Sequence, residues 1–503
     1  MLDCGSMRTR RDLLKLLGAA AAATAVPSSP ARGAAPAPTA PAPIAPAGQA
    51  HSTRQPAALD VVIVGAGFAG LTAARALVKQ GRRVVVVEAR DRVGGRVKAG
   101  TIAGHKVDVG GMWAGPTQTR VLAALEEFGL HTAPQRIAGK QIVDLAGKRW
   151  LAEGEGMGFE PSIEKEIGAI TDELNRMAAT LPPDAPWSAP RAAEWDAISA
   201  QEWLFARTAD PLVRAYWDAD FRSVLEADLS RLSLLFLLFY IRSGDSVDAL
   251  FGYEEGAQAF LVKEGMHSLA EKMAAALGDR VILGAPVRSI AQDASGVVVR
   301  SEQREWRAAT AIVAIPPPLT VRLAWDPPLP SGRDLLAQRS PMGSVIKWYA
   351  AYDRPFWRDR GLNALVVTDR PPCVVSVDAA KDDAGPALLA GFIDTPYSLR
   401  MTGRPQEERR AAVTGWLAEY FGPEAARPVA YLDQDWPAEV WSRGCYGATM
   451  GPTVMTAFGR FLREPHGRIH WAGTETSDRW SGYIDGAIRS GERAAAEVLA
   501  RAG

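Results

Sequence analysis

The stretch from Asp60 to Arg90, DVVIVGAGFAGLTAARALVKQGRRVVVVEAR, limits the fold more than any other part of the chain. Two continuous apolar runs flank a glycine turn and a helix-length segment, as expected for neighbouring strands of a parallel sheet covered on both faces. Gly65, Gly67 and Gly70 follow the first strand and open the helix. The first allows the tight turn, the second lets backbone approach a pyrophosphate, and the third lets helix pack on strand. The helix start supplies N–H groups and positive potential for phosphates. Glu88 ends the second strand, where a carboxylate can accept hydrogen bonds from ribose hydroxyls and disfavours a 2′-phosphate. This fingerprint specifies a dinucleotide but does not separate NAD from FAD. The following RVGGRV adds Gly94, Gly95 and Arg96, a second glycine turn with a fixed cation in reach of the same pyrophosphate.

The rest of the chain changes texture repeatedly. A helical, Trp-rich region covers about 160 to 250, and VILGAPVRSIAQDASGVVVR at 281 to 300 is β-rich. AIVAIPPP at 311 to 318 is a buried strand stopped by prolines, and further strands fall near 343 to 352 and 388 to 393. The expected fold is α/β, with a Rossmann-type FAD-binding domain interleaved with an α+β substrate domain. The boundaries are 57–135, 263–336 and 439–503 for the first, and 136–262 and 337–438 for the second. Lys plus Arg balances Asp plus Glu at 57 each, so no basic field invites nucleic acid. His466 and His470 stand at helical spacing but flank Gly467 and a β-like run, so no metal site is expected.

Residues 1–56 read as an address and tether. Arg10 and Arg11 precede the apolar run LLGAAAAATAV, and residues 27 to 56 are rich in Pro, Ala and Ser. This is the pattern of the twin-arginine (Tat) export route, with Met7 as an alternative start. LSLLFLLFYI at 232 to 241 is too short to span a bilayer and reads as a buried helix. The alanine-rich end leaves no expected C-terminal anchor. The expectation is a soluble protein, periplasmic or secreted.

Five longer motifs, EARDRVGGR, VDVGGMWAGPTQTR, GSVIKWYAAYDRPFWR, SRGCYGATMGP and WAGTETSDRWSGYIDGA, together resemble the flavin-dependent monoamine oxidases, close to the mitochondrial type. The likeness runs from about residue 57 to 500 and implies FAD as the cofactor. It also implies a thioether between the flavin 8α carbon and Cys445. Read without it, Cys445 is a small buried thiol or, with Cys373, half of a disulfide. The resemblance makes Tyr446 and Tyr483 an aromatic cage that attracts the amine and aligns its Cα–H. Strand alternation puts Val345, Lys347 and Tyr349 on one face. The resemblance turns Lys347 inward, reaching flavin N5 through a water and assisting the reaction with oxygen.

By the same likeness Trp113, Val287, Trp436, Gly473, Thr474 and Glu475 surround the cofactor, with Trp436 flat against the flavin ring. Phe251, Gln258, Val367 and Phe392 match the substrate pocket. The implied reaction converts a primary or secondary amine to an imine, then aldehyde and ammonia, with oxygen reduced to hydrogen peroxide. Three rivals stand beside it: a dehydrogenase passing electrons to a redox protein, an L-amino-acid oxidase needing a carboxylate-binding arginine, and a silent flavoprotein. Relatives of this type often form homodimers.

Overall fold

The valine-only strand Val84–Val87 and the strand Leu59–Val64 lie parallel, with Val61 opposite Val84 and Val64 opposite Val87. The computed structural model describes residues 59–382 and 385–501. Helix Phe68–Lys79 joins the two strands. On its other side Leu59–Val64 pairs in parallel with Glu305–Val313, which pairs in turn with Ile469–Trp471. Segments far apart in the chain therefore complete one eight-stranded sheet. The C-terminal helix Ile484–Arg501 covers it beside Phe68–Lys79, at close range: a Cβ on Gly491 would lie 2.3 Å from the Ala69 carbonyl.

A second sheet has seven strands, in the order Ala430–Asp435, Ile346–Tyr352, Ala387–Ile393, Val375–Asp378, Leu362–Thr368, Lys140–Leu145 and Lys148–Glu153. Every residue of Ile346–Tyr352 is buried. Period-two alternation sends Trp348, Ala350 and Tyr352 into an aromatic core with Trp357, Trp416 and Phe421. Lys347 and Tyr349 point the other way, and both reach Met112 Sδ.

Helix Pro211–Leu225 packs on this second sheet, and helix Leu234–Ser243 lies in the helical core beyond it. Pro211–Leu225 begins with Pro at its first position and with Asp210 accepting from the Leu212 and Val213 amides, a standard helix start. Leu234–Ser243, from the apolar run noted in the sequence, buries nine of its ten residues. Among the described residues no helix is long and apolar enough to cross a membrane. The export leader and linker fall outside the described residues.

We propose the domain division given by the sequence segments. The strands of the eight-stranded sheet fall in one set of those segments and the strands of the seven-stranded sheet in the other. A small sheet of Trp113–Ala114, Phe260–Val262 and Thr132–Pro134 draws on both.

Candidate active site

At the carboxyl edge of the first sheet the glycine turn opens a cavity of about 370 Å³. Gly65 has φ +104°, and a Cβ there would meet the Ala314 carbonyl at 2.7 Å. A Cβ on Gly70 would stand 2.0 Å from the Gly65 carbonyl, so position 70 admits only glycine if helix and turn are to touch. Gly67 and Gly95 both line the cavity, and their bare backbones approach each other. Helix Phe68–Lys79 starts at Gly67 with no side-chain cap and no acid in its first turn, which leaves its positive end for an anion. Glu88 is fixed at this edge, accepting from the Ala66 amide at 2.8 Å and the Arg90 amide at 3.0 Å. A bare concave backbone, an uncapped helix start and a held carboxylate suit the phosphates and ribose of FAD.

Side chains build the other end. Gly110, Gly111, Met112 and Trp113 form one wall, and Lys347 reaches it from the second sheet. Lys347 is 2% exposed; its Nζ donates to the Gly110 carbonyl at 2.8 Å and lies 2.7 Å from Met112 Sδ. The rings of Trp113, Tyr349 and Phe392 surround it at 5.5 to 5.7 Å. Burial brings its pKa down to about 7, against the opposing pull of Asp108. Near neutral pH this lysine therefore exists in both protonation states.

Cys445, Tyr446 and Tyr483 line the same cavity as Lys347. Cys445 and Cys373 are both free thiols, so the disulfide alternative does not form. Burial pushes the Cys445 thiol up to about 12, with Arg96 opposing. Tyr446 packs edge-on to Phe392, ring centroids 5.7 Å apart, while Tyr483 lies against Tyr240 and Trp480.

The family profile of flavin containing amine oxidoreductases matches residues 68–499. The chain belongs to this family. A Mycobacterium tuberculosis protein assigned as a flavin-containing monoamine oxidase is 40% identical over 448 residues, covering 89% of this chain and 98% of the relative. An L-amino acid dehydrogenase of Synechocystis is 36% identical, covering 88% of this chain and 94% of its own. Among solved structures, a putrescine oxidase bound to putrescine is similar with a TM-score of 0.84 and 34% identity, covering 88% of this chain and 100% of that one.

Within this flavin amine oxidoreductase, most residues singled out in the sequence meet at the cavity. Gly65, Gly67, Glu88, Gly95, Arg96, Trp113, Gln258, Val287, Lys347, Phe392, Cys445, Tyr446, Gly473, Thr474 and Tyr483 all line it. Five others do not. Gly70 packs beneath the turn, as its spacing implies. Trp436 was expected flat against the flavin ring; instead its Nε1 donates to the Val109 carbonyl at 3.0 Å and its ring packs behind Gly110 and Cys445. Glu475 sits behind the wall, bonded to Arg96 at 2.5 and 3.1 Å, where that cation outweighs burial and holds the carboxyl below its ordinary range.

Arg96, on the cavity wall beside Gly95, also fastens the tyrosine loop: one of its nitrogens donates to the Tyr446 carbonyl at 2.7 Å. Phe251 turns away from the pocket into a contact with Phe221, centroids 5.2 Å apart. Val367 packs with Val143 and Trp150, and its cross-strand partner Val375 lines the cavity in its place.

Sequence reasoning missed Tyr240, Tyr253, Ser223, Val224 and Val375 on the cavity wall. Ser223 and Val224 end a helix whose apolar spacing reads only as core. Val375 carries no chemical signal at all. The tyrosines stand in stretches with no motif around them.

Proposed function

We propose that the chain oxidises a small amine with FAD held through Cys445, using oxygen as acceptor. Bound FAD would take the hydride equivalent from the amine's α-carbon and pass the electrons to oxygen, so that the products are an imine, hydrolysed to aldehyde and ammonia, and hydrogen peroxide. The observation that carries this reading is the presence of Lys347, Cys445, Tyr446 and Tyr483 on the wall of the cavity that begins at the glycine turn.

The chain's own groups orient and desolvate. Tyr446 and Tyr483 offer ring faces that attract a cationic amine and hold it once neutral. Tyr253, Val375 and Phe392 exclude water from the amine end. Lys347 places a cation, held by the Gly110 carbonyl, where negative charge from oxygen reduction is stabilised. Cys445 supplies the sulfur for the tether. The arginines on the cavity wall are Arg90, Arg96, Arg288 and Arg322. Arg90 and Arg96 are bound to Glu88 and Glu475, and Arg288 and Arg322 line the cavity together with Val287 and Leu323. The wall of Ser223, Val224, Gln258, Val375 and Phe392 carries none to pair with a substrate carboxylate, which favours amines over amino acids.

Anaerobic addition of a panel of primary and secondary amines should bleach the flavin, and air should restore it within seconds with one peroxide per turnover. Persistent colour with every amine sinks the proposal. Bleaching without reoxidation in air would assign the dehydrogenase reaction instead. Acid precipitation should leave the yellow colour in the protein pellet.

A further inference from the structure

Tyr446 and Tyr483 share a cavity but rest on different supports. Tyr483 has aromatic rings behind it. Tyr446 has two carboxyls, Glu226 and Asp394, each 1% exposed, which the proposed reaction does not use.

Backbone geometry fixes both. Glu226 ends helix Pro211–Leu225 with φ +52°, in the left-handed region, where a residue other than glycine is held only by its surroundings. Its carbonyl accepts from the Ser344 amide at 3.1 Å and from Thr395 Oγ1 at 3.0 Å. Gly343, beside Ser344, brackets Tyr446: it donates to the Gly447 carbonyl at 2.9 Å and accepts from the Cys445 amide at 3.0 Å. A Cβ on Gly343 would lie 2.5 Å from the Cys445 carbonyl and 3.0 Å from Glu226 Cβ. The helix end and the tyrosine loop are thus closed on each other without slack.

Asp394 follows the strand Ala387–Ile393, and its Oδ2 accepts from the Val374 amide at 2.7 Å. Its Oδ1, like both carboxylate oxygens of Glu226, has no N–H or O–H partner within hydrogen-bond distance, and the Glu226 carboxyl faces it. Two carboxylates cannot share a dry site while both charged, so the contact is a hydrogen bond only when one proton lies between them. Glu226 also faces the Tyr446 hydroxyl and the Thr395 amide. The other groups facing the pair are the Cys373 thiol, the Tyr253 phenol and Arg222, which is itself paired with Asp218.

We propose that Glu226 and Asp394 form a one-proton carboxyl pair that positions the Tyr446 phenol for amine oxidation. The proposal rests on the amine-oxidase reading above. Once the pair is charged, its unpartnered oxygens draw the Tyr446 hydroxyl, which Glu226 faces, into donating away from the cavity, so the phenol does not engage the amine's lone pair and its ring face stays presented. Burial raises both acids, Asp394 to about 7. The pair is neutral below that pH and gains one negative charge above it, which strengthens its grip on the phenol.

The test compares wild type with Asp394→Asn and Glu226→Gln. With saturating amine, the anaerobic bleaching rate of wild type should rise through pH 7, and both variants should lose that rise, falling about tenfold behind at pH 8, the scale of a hydrogen bond to a charged group. A second reading needs no substrate. Because Asp394 is raised from 3.8 to about 7 in the fold, the native state keeps a proton that the unfolded chain releases, so wild-type stability should fall from about pH 4 to 7. Asp394→Asn should flatten that slope in thermal unfolding; Glu226→Gln, a one-atom change, carries the test if Asp394→Asn does not fold. Unchanged rate profiles in both variants overturn the pair. Wild type that no amine bleaches overturns the amine-oxidase reading, and the proposal with it.

Discussion

The two ends of the cavity are built on opposite principles. The glycine-turn end is backbone: Gly65, Gly67, Gly94 and Gly95 stand within one continuous stretch, and absent side chains create the space. The amine end is side chain. Lys347, Phe392, Cys445, Tyr446 and Tyr483 come from segments far apart in the chain, and they meet only because two sheets and a helix end bring them together. A backbone site tolerates no added atoms, whereas a side-chain site tolerates exchange and changes its chemistry. Substitutions at the first end should therefore remove the holoenzyme, and those at the second should change rates while flavin content stays constant.

The largest effect is expected from Gly70→Val, whose Cβ would stand 2.0 Å from the Gly65 carbonyl. Overpacking of this kind costs on the order of 3 kcal/mol, much of a domain's net stability. Soluble yield and flavin absorbance should both collapse. A yellow, stable Gly70→Val protein would erase the contrast between the two ends.

Next in size is Lys347→Met, which keeps the bulk and removes the cation. Reoxidation by oxygen should slow by about 100-fold, the scale of losing one preorganised charge, while anaerobic bleaching changes little. Equal loss in both half-reactions would make Lys347 a packing residue. Wild-type reoxidation should also weaken as pH rises through about 7, because the ammonium is lost there. For folding the sign is reversed: the unfolded chain binds the proton that the buried lysine gives up, so stability rises across the interval from about 7 to 10.5.

Tyr483→Leu should lower kcat/KM by about tenfold, as loss of one aromatic face implies. Unaltered flavin absorbance would keep the effect at the amine end. Cys445→Ala is the mildest change. Its flavin should leave the pellet on acid precipitation, with steady-state turnover within about threefold of wild type if the tether serves retention alone.

Legibility followed the same divide. The Rossmann unit, the glycine spacing and Glu88 could be read because each role is local: a turn, a close approach and a strand end lie within one short segment. Lys347 on a strand face and the Cys445–Tyr446 pair were legible through long motifs. Val367 and Phe251 were misplaced because one step of strand register, or the turn of a short helix, moves a side chain to the opposite face. The pairing of Arg96 with Glu475 was not legible because that partner lies far along the chain. Glu226 and Asp394 gave no signal, since carboxyls in the sequence read as solvated surface.

By itself the sequence determined the parallel strand pair and the bare glycine turn, because these depend on apolar runs and on where a Cβ is missing. Tertiary structure alone decided which face each distant side chain presents, that Lys347 is stripped of water, and that two acids lie against each other behind Tyr446. Those outcomes depend on long-range closure, and no local pattern encodes which surfaces will be deprived of solvent.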